Sequence, residues 1–300
     1  KLPDDGRIVP FSKLYQTRET KYDIATQWEE DFALTIMYTS GTTGFPKGVC
    51  QTVSNHSASA VSSALNLGIS EKDTWLCIVP IFHISGFSIV VRSLLYGMKI
   101  RLYEKFDAKK CAQEIIKGTV TKMSVVAVML ENILSEMERI GQKAHPEFST
   151  MLAGGGPVPI GYLERAEKLN LRVAQTYGMT ETASQTATLA NEDAMTHIGS
   201  AGKPLFFNDI KIDAKDGKSI GEILIRGPHV TPKYIGQFKH KPTTIGGWLH
   251  TGDVGYLDEE GYLYVVDRRS DLIISGGENI YPAEIENVLL AHPNIKEAGV

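Results

Sequence analysis

Residues 38–48 read Tyr38-Thr39-Ser40-Gly41-Thr42-Thr43-Gly44-Phe45-Pro46-Lys47-Gly48. Four aliphatic hydroxyls, three glycines and a lysine follow directly on an apolar run. Gly41, Gly44 and Gly48 let the backbone turn its N–H groups toward an anion. The hydroxyls add donors, and Lys47 adds a point charge suited to phosphate. A plain polar loop would account for the Gly, Ser and Thr, but not for the strand on one side and Pro-Lys-Gly on the other. The spacing is not that of a P-loop: counted from Gly41, that motif needs Gly at 46 and Ser or Thr at 48, where Pro46 and Gly48 stand. Gly154-Gly155-Gly156, followed by Pro157 and Pro159, lacks the spacing of a dinucleotide fingerprint. Gly199-Ser200-Ala201-Gly202 is one residue too tight for a serine-hydrolase elbow.

Outward from this loop, short runs rich in Val, Ile and Leu alternate with longer segments of helical spacing. Strands are expected at 32–38, 75–79, 99–103, 124–128, 150–153 and 172–175. Helices are expected at 54–66, 85–96, 108–117, 130–140 and 160–169. Gly68, Gly97, Gly118 and Gly141 stand where left-handed caps are wanted, and Asp107 where an N-cap is wanted. Strand–helix–strand at this interval predicts right-handed crossovers and largely parallel sheet. After about residue 190 the texture becomes β-rich, with strands expected at 209–212, 222–225, 248–250 and 261–266, and a hairpin turn at 258–261 joining 254–257 to the last of these. Asp267-Arg268-Arg269-Ser270-Asp271 breaks the pattern; a strand, a double glycine and a helix from Pro282 follow. The expected fold is therefore α/β: layered parallel-rich sheets with helices, an appended β-rich subdomain at about 190–266, and the start of a small α+β C-terminal domain. The expected boundaries are 1–269 for the large domain and 270–300 for the beginning of the second.

Composition narrows the function classes. Of 300 residues, 42% are hydrophobic and 22% charged, which excludes a disordered or collagen-like chain. The formal net charge of −4 gives no general reason to coat nucleic acid or an anionic membrane. Three widely spaced cysteines, no CxxC and no HExxH argue against zinc and disulfide frameworks and for a reducing, cytoplasmic compartment. Residues 74–91 carry no formal charge, but Pro80, His83, Ser85, Gly86 and Ser88 make a buried strand, a turn and a helix a better reading than a membrane span. The chain begins at Lys1 without methionine and stops at Val300 just after an expected helix, so an interior piece of a longer protein is expected.

Six segments, in order, resemble the acyl-adenylate-forming superfamily of acyl-CoA synthetases, luciferases and peptide-synthetase adenylation domains. Residues 38–48 resemble its phosphate-binding signature, Pro80-Ile81-Phe82-His83 its aromatic–histidine motif beside the acyl pocket, and Ala153-Gly154-Gly155-Gly156 its glycine turn near adenine. Tyr177-Gly178-Met179-Thr180-Glu181-Thr182 resembles its YGxTE motif, Thr251-Gly252-Asp253 its ribose motif, and Asp267–Asp271 with Ser275-Gly276-Gly277-Glu278-Asn279-Ile280 its hinge and the start of its C-terminal domain. The resemblance covers about 31–300. It implies attack of a carboxylate on the α-phosphate of ATP, then thiol capture of the acyl-adenylate, with ATP, Mg²⁺ and coenzyme A as the small molecules involved.

On that resemblance Thr39, Ser40, Gly41, Thr42, Thr43, Gly44 and Lys47 hold phosphates. Gly154, Gly155, Gly156, Tyr177 and Gly178 frame adenine, with a ring face from Tyr177. Thr180 donates to the α-phosphate, Asp253 accepts the ribose hydroxyls and Arg268 also reaches the ribose. Lys47, Thr180 and Glu181 are the candidate catalytic residues, and Glu181 is a hard oxygen ligand for Mg²⁺. His83 lines the acyl pocket, and Ser270 stands at the hinge, where many relatives carry Asp or Lys. The family's C-terminal adenylation lysine falls beyond Val300, and residues 1–30 are short for its N-terminal region. Within the superfamily, stretches around Gln175–Thr182, 199–206 and 267–286 resemble ligases that charge o-succinylbenzoate in menaquinone biosynthesis. Such an acid has two carboxylates, and Thr182, Ser184 and Gln185, just after Glu181, are candidates for the one that is not activated. A ligase or carrier-loading domain for another acid, and a non-catalytic adenylate-binding module, stay open; so does a homodimer. The partners implied are small molecules, with no nucleic acid and no membrane.

Overall fold

The computed structural model describes residues 26–39, 46–156, 158–190, 192–214, 220–268, 273–275, 278–280 and 282–290, together with 292, 295, 298 and 299. Two strands open it, β1 (Ala33–Thr39) and β2 (Lys47–Thr52), paired antiparallel with Thr39 opposite Lys47. This corrects the expectation that the first strand enters the parallel sheet. The sequence KGVCQT is buried over most of its length, so it shows no period-2 alternation and reads as loop. With β12 (Lys233–Ile235) these two form a separate three-stranded sheet.

The main sheet has seven strands. In chain order they are β3 (Thr74–Cys77), β4 (Lys99–Leu102), β5 (Lys122–Val125), β6 (Thr150–Ala153), β7 (Val173–Met179), β8 (Ser184–Thr188) and β9 (Lys203–Pro204); in space they run β4-β3-β5-β6-β7-β8-β9. The first five are parallel; β8 and β9 add on antiparallel. Within this sheet the antiparallel part begins at Ser184, earlier than the texture change at 190, because the turn at 180–183 is too short for a crossover. Helices α1 (Val53–Leu67), α2 (Ile84–Tyr96), α3 (Ala108–Lys117), α4 (Ala127–Ile140) and α5 (Ile160–Lys168) accompany this sheet. Gly97, Gly118 and Gly141 are the expected left-handed caps, whereas Gly68 has φ 68° with ψ 161°, outside the left-handed helical region. The strand expected at 124–128 instead starts at Lys122 and ends before α4. A lysine disguised its start: the ammonium is buried and lies 3.0 Å from the Asp73 carboxylate. The core fills the space between sheet and helices, with Trp75, Leu76, Met123, Leu134 and Met151 all but inaccessible.

A second sheet of four antiparallel strands, β10 (Asp209–Asp213), β11 (Gly221–Arg226), β13 (Leu249–Leu257) and β14 (Leu263–Arg268), is the β-rich subdomain. The expected hairpin joins β13 to β14, and 248–250 and 254–257 prove to be one strand. A small hairpin, β15 (Ile273–Ser275) with β16 (Glu278–Ile280), and helix α6 (Pro282–Leu290) follow. Among the described residues no helix is long and apolar enough to cross a membrane.

Two buried histidines set a pH dependence. Burial lowers both His56 and His229 to about 4. Between the ordinary value of 6.5 and that value the unfolded chain takes up protons that the native chain refuses. Stability is therefore greatest above pH 6.5 and falls as pH drops toward 4. About 2 kcal/mol per histidine is expected to be lost between pH 7 and 5. Urea unfolding at the two pH values checks this, and His229→Gln should remove about half of the combined effect.

Candidate active site

Parallel strands share one C-terminal edge, and in open α/β sheets that edge is where ligands sit. Here β3 delivers Pro80-Ile81-Phe82-His83, β6 delivers Gly154-Gly155-Gly156, and β7 delivers Gly178-Met179-Thr180-Glu181. The β1–β2 pair comes alongside. Thr39 and Lys47 face each other at its end, flanking residues 40–45, so Ser40, Gly41, Thr42, Thr43 and Gly44 lie outside the described residues.

Lys47 and Glu181 meet here, with Nζ 2.5 Å from Oε1 and only a tenth of the glutamate side chain exposed. The ammonium also lies 4.6 Å from the centre of the Tyr234 ring. Burial works against the lysine charge, but the Glu181 carboxylate and then Tyr234 outweigh it, and Lys47 titrates above an ordinary lysine. Thr180 and Glu181 open a single 3₁₀ turn, Thr180–Thr182. Its Glu181 carbonyl accepts from the Thr231 amide at 2.7 Å, and the Ala183 carbonyl accepts from the Ser59 hydroxyl at 2.7 Å. Ala183 (φ 48°) and Ser184 (φ 102°) then carry the chain into β8 through conformations that non-glycine residues rarely hold.

The adenine and ribose candidates are also joined. The Tyr177 hydroxyl donates to Asp253 Oδ2 at 2.7 Å, linking β7 to β13. Gly178 sits where β8 crosses closest: a Cβ there would lie 1.7 Å from the Ser184 carbonyl oxygen. Gly154 abuts the Thr176 methyl, and Gly155 has φ 81°. Arg268 is the last residue of β14, opposite Asp253; its side chain and the whole of Ser270 lie outside the described residues.

On the acyl side the sequence-predicted residues separate. His83 is exposed at the start of α2, its ring centre 4.6 Å from that of Phe82. The Thr182 hydroxyl is turned back onto its own backbone, accepting from the Met179 amide and lying within bonding distance of the Met179 and Ser184 carbonyls, so it offers nothing to a ligand. Ser184 and Gln185 instead meet a residue that sequence reading missed. Arg92 of α2 is 1% exposed; its Nη2 donates to Gln185 Oε1 at 2.7 Å and lies 3.5 Å from Ser184 Oγ. Its guanidinium lies 5.3 Å from the Trp75 ring centre, its Nε has no hydrogen-bond partner, and burial lowers its pKa. No carboxylate pairs with it among the described residues. His56, Ser59, Ser88 and Ala183 line a small hollow beside it. The signal was present in the sequence: the uncharged run 74–91 ends on this arginine. A larger cavity, about 460 Å³ and lined in part by His145, Phe148, Arg172 and Met195, opens at the opposite, N-terminal ends of β6 and β7 and touches none of these residues.

Among the described residues no three His, Cys, Asp or Glu side chains cluster to cage a metal. Mg²⁺ does not need such a cage; one carboxylate plus phosphate oxygens and water is its usual shell. Glu181 beside the phosphate-loop lysine fits that donor set.

Residues 4–235 match the family model described as AMP-binding enzyme. The 2-succinylbenzoate–CoA ligase of Geobacillus kaustophilus is 53% identical over 306 aligned positions, covering all of this chain and 62% of the relative. The o-succinylbenzoate CoA synthetase of Bacillus subtilis in complex with the acyl-adenylate intermediate OSB-AMP superposes with a TM-score of 0.87 at 48% identity, over 96% of this chain and 60% of that one. The same enzyme in complex with ATP and magnesium gives 0.85 at 48% identity, over 94% and 60%. This chain thus spans about three-fifths of the length of the proteins it matches.

Proposed function

The chain belongs to the AMP-binding enzyme family, and on that premise we propose that the full-length protein is an ATP-dependent o-succinylbenzoate–CoA ligase acting on small molecules in the cytoplasm. One carboxylate oxygen of the acid attacks the α-phosphorus of ATP and pyrophosphate leaves. The thiolate of coenzyme A then attacks the acyl carbon and AMP leaves. Lys47 and Thr180 hold phosphate oxygens in line with the attacking carboxylate, and the catalytic work is positioning and charge neutralisation. Glu181 would hold Mg²⁺, which when bound neutralises triphosphate charge. Lys47 must then exchange Glu181 for phosphate, so both partners of the present pair find new ones. Tyr177, Asp253 and Arg268 would take adenine and ribose. Residues 1–269 form the nucleotide-binding domain in this reading, and 270–300 begin a second one that turns about Ser270.

Arg92 carries the reading of the acid. A buried guanidinium without a counter-charge is costly, and a second carboxylate on the substrate answers that cost. An acid with one carboxylate cannot both be activated and pair with Arg92. The identities to curated ligases for this diacid support the same reading.

The test is acid-dependent ATP–pyrophosphate exchange by the full-length protein across o-succinylbenzoate, benzoates, coumarate and fatty acids. Preference for the diacid is expected; equal use of monoacids would replace it with another acyl or aryl ligase. Arg92→Met should raise KM for o-succinylbenzoate by about 30-fold or more while KM for ATP stays within threefold. An unchanged KM for the acid would remove Arg92 from the site.

A further inference from the structure

The Thr180 carbonyl accepts from the Ala183 amide of its own turn at 3.3 Å and is also held from outside that turn. It accepts from the Gln51 side-chain amide, and Gln51, in β2, is wholly buried. Gln51 Oε1 in turn accepts from the Thr35 hydroxyl at 3.0 Å, and Thr35 Oγ1 lies 2.9 Å from His56 Nε2. The direction of this chain is fixed. A threonine hydroxyl has one proton, which goes to Gln51, so His56 must carry its proton on Nε2 and donate to Thr35. Burial keeps His56 neutral at neutral pH, and the bond to Thr35 selects the Nε2–H tautomer. The strands are arranged for it: Thr35 and Gln51 are direct cross-strand neighbours, brought opposite by a register shift between Ala33 and Thr35.

The bond matters because of which carbonyl it holds. The Thr180 carbonyl belongs to the peptide plane that joins Thr180 to Glu181. A peptide unit is rigid, so fixing its oxygen fixes the Glu181 N–H and the directions in which both side chains leave. Thr231 holds the Glu181–Thr182 peptide and Ser59 the Ala183–Ser184 peptide, but neither bond reaches this first plane.

We propose that Gln51, oriented by Thr35 and His56, is a positioning residue for acyl-adenylate formation, setting the Thr180–Glu181 peptide plane so that both side chains address the triphosphate. This rests on the reaction proposed above. Without the chain, only the longer Ala183 bond holds the plane, which can tilt so that both groups lose their aim; misplacement on the scale of 1 Å is enough to cost about 100-fold in rate.

The experiment compares Thr35→Val with Thr35→Ser in the full-length protein, measuring ATP–pyrophosphate exchange, KM for ATP and thermal unfolding. Valine keeps the shape and loses the hydroxyl; serine keeps the hydroxyl and loses a methyl. The expected result is a kcat for exchange lowered 10- to 100-fold in the valine variant, KM for ATP within threefold, and a serine variant within threefold of wild type. Gln51→Met, where it folds, should match the valine variant. A valine variant at the wild-type rate overturns the proposal, as does an equal loss in serine and valine variants, which would mean packing alone. A wild type without exchange for any acid removes the reaction and this inference with it, whereas wild-type exchange with an unaffected valine variant removes the inference alone.

Discussion

Glu181→Ala in the full-length protein is expected to lower the rate of acyl-adenylate formation by about 10²–10³-fold, the usual cost of losing one preorganised electrostatic group. The carboxylate is nearly buried and lies 2.5 Å from the Lys47 ammonium. Removing it takes away the hard oxygen donor proposed for Mg²⁺ and leaves Lys47 half-buried against Tyr234 with its charge uncompensated. The loss should appear in ATP–pyrophosphate exchange, with Mg²⁺ dependence shifted to higher concentration. Glu181→Asp should recover part of the rate, since it keeps the charge on a shorter stem. A Glu181→Ala enzyme within threefold of wild type would show that the carboxylate serves only to neutralise Lys47.

The second large effect is on stability. Gly178→Ala should destabilise the fold by about 4 kcal/mol or more, at the extreme of single substitutions. The added Cβ would stand 1.7 Å from the Ser184 carbonyl oxygen, and the obstacle is backbone, not the end of a flexible side chain. Relief requires β7 and β8 to part at the register shift between Tyr177 and Gly178. That moves Tyr177 off Asp253 and disturbs the turn at Thr180, so nucleotide affinity should fall along with Tm, by about 10 °C on the scale for large domains. Thermal unfolding of the full-length protein, with and without AMP, separates the two losses. An alanine variant with wild-type Tm would mean that β8 runs further from β7 at this point.

The parallel body was most legible where a short apolar strand is followed by amphipathic spacing and a glycine stop, as at Gly97, Gly118 and Gly141. What escaped had lost its periodicity. Strand β2 is buried over most of its length and so carries no alternation; Lys122 put a charge at the head of a core strand, made tolerable by Asp73, 49 residues earlier in the chain but adjacent across β3 and β5. The site divided along similar lines. Residues held by backbone geometry in order along the chain, from Lys47 through Glu181 to Asp253, are readable as motifs. Arg92 is not, because its meaning lies in what surrounds it: this helix position is a candidate anion site only once Gln185 and Ser184 arrive from another strand and, among the described residues, no carboxylate does. For the same reason Thr182, adjacent to the motif, turned out to serve its own turn.

The separation of Arg92 from the Lys47–Glu181 pair bears on how such a scaffold can be redesigned. In the proposed reaction acid choice would rest on α2 and β8, and triphosphate handling on the β1–β2 pair and the 180–182 turn. On that proposal, exchanging Arg92 and Gln185 for apolar residues should shift the full-length protein toward monoacids while leaving adenylation in place. One wall is shared: His56 borders the hollow beside Arg92 and also heads the hydrogen-bond chain to Thr180. If both proposals hold, a library built to broaden the acid range should vary Arg92, Ser88 and Gln185 and hold His56 constant.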